Sequence, residues 1–430
     1  MLCSKRPRTS RARRTPTRPS GAEFLVAKPT QSLVSSGKAG RFVRPALWFL
    51  GTAAAVNAAA VFVLPARPAV ADNVRASQWH LLSLDVAKTH RVSRGKGVTV
   101  AVIDSGVQAS HPDLRGSVVR GRDFVGDTDG RVDRNGHGTG VAALIAGHGH
   151  GTGDGALGLA PRATILPVRV SNPNGKYTST AAAQGVRWAV DHGADVINMS
   201  GGASADDPAL RGAVAYAQAR DVVVVASAGN TDQGDRRVLY PAAYPGVVAV
   251  SAVDGTDKFS PDSVRGPRVA LAAPGVRVVT ATTDGGYAIG AGTSDAAALV
   301  SGAAALVRAE HPDLDATNVV NRLIRTAEDR GPSGRDPRYG FGTVVPVAAL
   351  TADVPRVAEN PLGTTTVSAP RRHGFRPPGA SGTPGGDAEP GVVSGLPARL
   401  LPALVGAAAV LLACLSVAVG WMVTARRRSR

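Results

Sequence analysis

The sequence has little cysteine, few aromatic residues and no surplus of acid. Its two cysteines, Cys3 and Cys414, stand near opposite ends of the 430 residues. The middle of the chain therefore has no internal disulfide, and cysteine usage says nothing about an oxidising compartment. Aromatic residues make up only 4%, and 32 acidic residues face 49 Lys and Arg, for a formal charge of +17. Much of that excess sits in Lys5–Arg18 and Arg426–Arg430. Terminal charge with no basic, aromatic-interleaved helix between the ends argues against a nucleic-acid role. The glycines of 149–158 lack a following phosphate-binding Lys, which excludes a nucleotide loop. His148-Gly149-His150 reads as part of a Gly-rich loop. Two histidines without nearby Cys or a placed carboxylate fall short of a metal site. No metal and no cofactor are expected.

What is present is an ordinary apolar fraction of 43%, with length enough for one large domain plus extensions. Two uncharged apolar runs stand outside the rest. Residues 46–64 follow a basic stretch ending in Arg41 and Arg44, and Ala69-Val70-Ala71 beyond them fits a signal-peptidase site. Residues 1–71 are expected to be a basic leader and signal peptide. The run Leu400–Thr424 is long enough to cross a bilayer, and an arginine cluster follows it. Positive residues stay on the cytoplasmic side. Residues 399–425 are thus expected to form a transmembrane helix and 426–430 a cytoplasmic tail, with everything earlier outside the cell. Residues 351–398, rich in Pro and Gly, cannot bury a core and should form a flexible linker. That leaves an N-terminal extension, 72–96, and one globular domain, 97–350.

Within the domain, Val98–Ile103, Ile165–Val170, Val196–Met199, Val222–Ala226 and Val247–Val250 read as strands buried on both faces. Ala181–His192, Pro208–Arg220 and Ala296–Glu310 read as helices between them, and Val141–Ala146 as a further helical stretch. This alternation predicts an α/β fold with a mostly parallel sheet and helices on both faces. Ligands then belong beyond the carboxyl ends of the strands. Asp104 follows the first strand there, although Asp-Ser-Gly is also a common turn. His137 sits among glycines in Asn135-Gly136-His137-Gly138-Thr139-Gly140, accessible and suited to carry a proton. Ser294 follows Gly290-Ala291-Gly292-Thr293, at the start of a small-residue helix whose free N–H groups favour developing negative charge. A serine there is also an ordinary N-cap. Asn230, at another strand end, could donate to an oxyanion or simply turn the chain.

Taken together, in the order Asp, His, Ser, these blocks resemble the catalytic domain of the subtilisin-like serine proteases. Ser110-His111-Pro112-Asp113-Leu114, Gly158-Leu159-Ala160-Pro161 and Asp195–Ser200 match further blocks of that family. The signal, Pro-rich linker and anchor, with Gln78-Trp79-His80 ahead of the core, are similar to mycosins, the subtilases of actinobacterial type VII secretion systems. Only about 25 residues separate Ala71 from the first strand, too few for an independently folded inhibitory propeptide. The resemblance implies a subtilisin-like three-layer fold and a membrane-anchored endopeptidase cutting protein or peptide substrates. It implies Asp104, His137 and Ser294 as the triad and Asn230 in the oxyanion hole. It also implies that substrate lies along Ser200, Gly201, Gly202, Asn174 and Gly175, and that a type VII membrane complex is the partner. A weak or inactive subtilase serving that complex structurally is the alternative.

The sequence departs from the family at Asp295, usually Met or Phe, at Ala298 and Leu299, usually Pro then His or Tyr, and at Gly201, usually Leu. Two charges about 6 Å apart repel by roughly 3 kcal/mol at an effective dielectric near 20. Asp295 is therefore expected to weaken catalysis, most of all when ionised.

Overall fold

The computed structural model describes residues 74–366, apart from Thr152 and Tyr177. The expected signal peptide, transmembrane run and basic tail lie outside the described residues, as does most of the expected linker. Among the described residues no helix is long and apolar enough to cross a membrane.

Three short helices open the chain: α1 (Val74–Ser77), α2 (Trp79–Ser83) and α3 (Val86–Val92). Strand β1 (Thr99–Asp104), β2 (Arg122–Asp123) and helix α4 (His137–Ala146) come next. After them run β3 (His148–His150), β4 (Asp154–Leu157), β5 (Thr164–Arg169), α5 (Ser179–Asp191) and β6 (Val196–Met199). Helix α6 (Pro208–Gln218), β7 (Val223–Ser227), β8 (Val248–Val253) and β9 (Val269–Pro274) complete the sheet. The chain closes with β10 (Val278–Ala281), β11 (Tyr287–Gly290), α7 (Thr293–Glu310), α8 (Ala316–Arg325) and α9 (Pro346–Thr351).

Seven strands form one sheet in the order β2-β5-β1-β6-β7-β8-β9, with every neighbouring pair parallel. Successive side chains of a strand point to opposite faces. Val100 and Val102 accordingly enter one core with α4 and α7, while Ala101 and Ile103 enter the other with α5 and α6. Burial on both faces explains why these strands read as continuous apolar runs. The chain runs from β1 to β5 on one side and then to β6 on the other, so the crevice opens at the carboxyl end of β1. Helix α7 crosses the core rather than covering it: 14 of its 18 residues are buried, mostly Ala, Val and Gly. A Cβ on Gly302 would lie 2.9 Å from Leu159 Cβ, so the small residues set how closely α7 packs.

Three local expectations change. The helix after the histidine block begins at His137 rather than Val141, because Asp133 satisfies its free N-terminal donors. His148-Gly149-His150 is a strand of the β3–β4 hairpin rather than a loop. His148 N–H donates to Asp113 O at 2.9 Å, and His150 Nδ1 lies 2.6 Å from Asp113 Oδ1. Residues 351–366, in the stretch expected to be linker, are docked on the domain. Asn318 holds Val357 through both backbone groups, at 2.8 and 3.2 Å, and Thr365 bonds Gln218 Oε1 at 2.9 Å. Polar anchors and one apolar side chain, Leu362 against the core, dock this segment, too little apolar burial for composition to mark it.

Candidate active site

Asp104, His137, Ser294 and Asn230 meet at the carboxyl edge of the sheet, on the wall of one cleft of about 370 Å³. Asp104 is the last residue of β1 and is buried; its Oδ1 accepts the Ser105 N–H at 2.7 Å. His137 opens α4, and its Nδ1 lies 2.8 and 2.9 Å from the two Asp104 oxygens. A carboxylate on Nδ1 keeps a proton there and leaves Nε2 as the basic nitrogen. Two glycines permit this approach. Gly136 has φ +100°, and a Cβ on Gly138 would stand 2.1 Å from Gly106 O. Below them Asp133 ties the turn down. Its oxygens accept from the N–H groups of Asn135, Gly136 and Thr139 and from Thr139 Oγ1, all at 2.7–2.9 Å.

Ser294 occupies the first turn of α7. Its hydroxyl donates to Ser200 O at 2.9 Å, and Ser200 Oγ donates back to Ser294 O at 3.0 Å. Ser200 Oγ is held in turn by Asn198 Nδ2 at 2.9 Å. In this rotamer the Ser294 hydroxyl is turned to the Ser200 carbonyl and not to His137. Asn230 Oδ1 accepts from Thr293 N–H at 2.9 Å and Thr293 Oγ1 at 3.1 Å. That leaves Nδ2, the donor end, on the cleft side with no hydrogen-bond partner among the described residues. The sequence reading missed Asp133, Thr139, Thr293 and Asn198. Thr139, Thr293 and Asn198 lie inside the blocks themselves and Asp133 two residues ahead of one, but a polar residue at such a place occurs in any loop.

All the expected substrate-contact residues line the same cleft: Asn174 and Gly175 on one side, Ser200, Gly201 and Gly202 on the other. Of the departures, Ala298 and Leu299 are buried in the core, and only Gly201 faces the cleft. Asp295 does not line it. It is buried beside Ser294 and turned toward the end of β11, where a Cβ on Gly290 would lie 2.9 Å from its Oδ2. It makes no hydrogen bond among the described residues, and burial pushes its pKa up to about 6, against the pull of His137. The Asp104 carboxylate raises His137 to about 9. Burial opposes that rise, while Asp295 and Asp133 add to it. The imidazole is 42% exposed, and water there screens all three carboxylates.

The model of the subtilase family matches residues 95–342 of this chain, which is more than half of it. The chain belongs to the subtilase family. Subtilases are serine endopeptidases, and that is the activity class of this chain. The subtilase is 41% identical over 253 residues to subtilisin DY of Bacillus licheniformis, an alignment covering 58% of this chain and 90% of that protein. It is 38% identical to thermitase of Thermoactinomyces vulgaris, over 56% of this chain and 85% of that one. Among solved structures it is similar to the MycP3 protease from the type VII (ESX-3) secretion system. There the identity is 38% and the TM-score 0.57, over 64% of this chain and 88% of that one. MycP1 from Mycobacterium smegmatis gives 31% identity and a TM-score of 0.58, over 70% of this chain and 89% of that one.

Proposed function

We propose that this subtilase works as an extracytoplasmic serine endopeptidase with Ser294 as nucleophile, His137 as base and Asp104 as the orienting carboxylate. The observation that carries the reading is the two-oxygen grip of Asp104 on His137 Nδ1, in the same cleft as Ser294 at the head of α7. The Ser294 hydroxyl swings from Ser200 O to His137 Nε2 when a substrate carbonyl enters. Its oxygen then bonds the carbonyl carbon as its proton passes to Nε2. Asn230 Nδ2–H and the Ser294 N–H stabilise the oxyanion. Nε2 next protonates the leaving amine as the C–N bond breaks, and water repeats the sequence on the acyl-enzyme. Substrate lies extended between Asn174-Gly175 and Ser200-Gly201-Gly202, paired to the backbone as an added strand. Cleavage of an unstructured protein tests this assignment. Asp104→Asn, His137→Ala and Ser294→Ala should each lower kcat by about 10⁴-fold or more. Full activity in any one of them removes that residue from the mechanism.

The likeness to the MycP proteases, together with the apolar run 399–425 and its arginine flank, supports a place at a type VII secretion membrane complex. The substrates would be proteins that pass through that complex. External protease added to intact cells should then digest the domain and spare the 426–430 tail. Protection of the domain would contradict this orientation.

A further inference from the structure

Next to the active cleft lies a second concavity, of about 680 Å³. Its wall carries Arg236, Lys258, Arg265 and Arg338, with the rings of Phe259 and Tyr339. All four cations are exposed, and none forms an ion pair among the described residues. Among the described residues the one carboxylate lining the cavity, Asp235, turns inward: its Oδ2 accepts the Asn230 N–H at 2.8 Å. The neighbouring Asp232 and Asp262 are exposed and do not line it. Phe259 N–H donates to Tyr339 Oη at 2.9 Å, and the two rings meet edge to face with centroids 6.0 Å apart. That bond fixes an apolar floor between the cations. Asp235 also lines the active cleft, so one loop, 230–236, separates the two sites.

We propose that this cavity is an exosite for an acidic peptide segment of the substrate, flanking the bond to be cut. The proposal rests on the reading of the neighbouring cleft as the place where a peptide lies. Unpaired arginines raise the local concentration of an anionic partner and bind carboxylates through paired N–H groups. The room exceeds that of a single small anion, and the two rings supply a surface for an apolar side chain. Adjacency to a peptide-binding cleft favours a polypeptide over a nucleic acid.

The test reads binding, so it stands whether or not the protein cuts. The full-length chain bearing Ser294→Ala is purified in detergent and titrated with fluorescent peptides. One set carries four Glu residues on the N-terminal side of a common core, a second set carries them on the C-terminal side, and a third carries Gln instead. One acidic peptide should bind about tenfold tighter than the Gln peptide at low salt, and most of the gain should vanish near 0.5 M salt. Arg236→Glu with Arg338→Glu should abolish the gain. Arg91→Glu with Arg94→Glu makes the same charge change ahead of β1, at the opposite edge of the sheet, and should leave the gain intact. Equal affinity for all three peptides overturns the proposal. So does an equal loss in the Arg91/Arg94 variant, or displacement of the acidic peptide by a single-stranded oligonucleotide at matching concentration. If the binding pattern holds while wild-type protein cuts nothing, the exosite stands and the catalytic reading fails.

Discussion

Asn230 has one end fixed and the other free. Thr293 fixes the carbonyl end, so Nδ2 is the only side-chain donor that Asn230 presents to the cleft. Asn230→Ala should therefore lower kcat by about 10²–10³-fold, or about 2.7–4 kcal/mol, and leave KM little changed. Steady-state kinetics on a fluorogenic peptide read this directly, and a loss confined to KM would place Asn230 in binding alone. In the proposed mechanism His137 must be neutral to take the Ser294 proton. With its pKa raised to about 9, mainly by Asp104, kcat/KM should climb with pH from neutral toward 9. Asp295→Asn removes a negative charge that holds the imidazole protonated, so it should move that climb to lower pH and raise the rate at pH 7. An unmoved profile would show that Asp295 does not act on His137. Asp295 also has a stability effect of definite sign. Its folded pKa, about 6, lies above the ordinary carboxylate value of 3.8, so stability present below pH 3.8 is lost as pH rises through 6. Asp295→Asn should gain about 1–3 kcal/mol at pH 8 and nothing at pH 3.5, read by thermal unfolding. That Asp104, His137 and Ser294 would share one edge was legible in the sequence because each lies in a short block with glycines or a strand beside it. The residues that hold them were not, since Asp133 and Thr293 are set by contacts rather than by neighbours in sequence.

The elements carry these residues to one edge through caps and close approaches. Helix α4 begins at His137 with no side-chain cap from Gly136, and Asp133 supplies the acceptors from outside the helix. Asp133→Ala leaves those donors unpaired. It should cost about 2 kcal/mol in unfolding free energy and depress activity through a misplaced imidazole. A variant as stable and as active as wild type would contradict that role. Five of the seven sheet strands were legible because parallel, doubly buried strands are unbroken runs of Val, Ile and Ala; β9 is buried throughout as well, yet its Val269–Pro274 run, rich in Ala, was not legible. Strand β2 was not, having two residues, and the β3–β4 hairpin was hidden by its glycines. The start of α4 was missed because glycine and histidine are poor helix formers, and Asp133 outweighs that local preference.

For the whole molecule, the cleft lies at the carboxyl ends of the strands. The chain leaves the described region near Gln218 and Pro245, at the end of α6 and ahead of β8, toward the amino ends. The tether expected from the sequence would then start on the edge away from the cleft. The segment 352–366 serves as a strap over α8, a role its composition did not reveal. Asn318→Ala removes both bonds to Val357 and should speed hydrogen exchange at the Val357 amide without changing kcat. In the proposed mechanism Ser294 is a nucleophile activated by His137 and Asp104. The most direct measurement is reaction of the full-length protein with a fluorophosphonate, followed by peptide mapping of the adduct. One adduct is expected, on Ser294, slowed at least about 100-fold in His137→Ala and absent in Ser294→Ala. Wild-type protein that takes no label on Ser294, or takes it equally fast without His137, would contradict it.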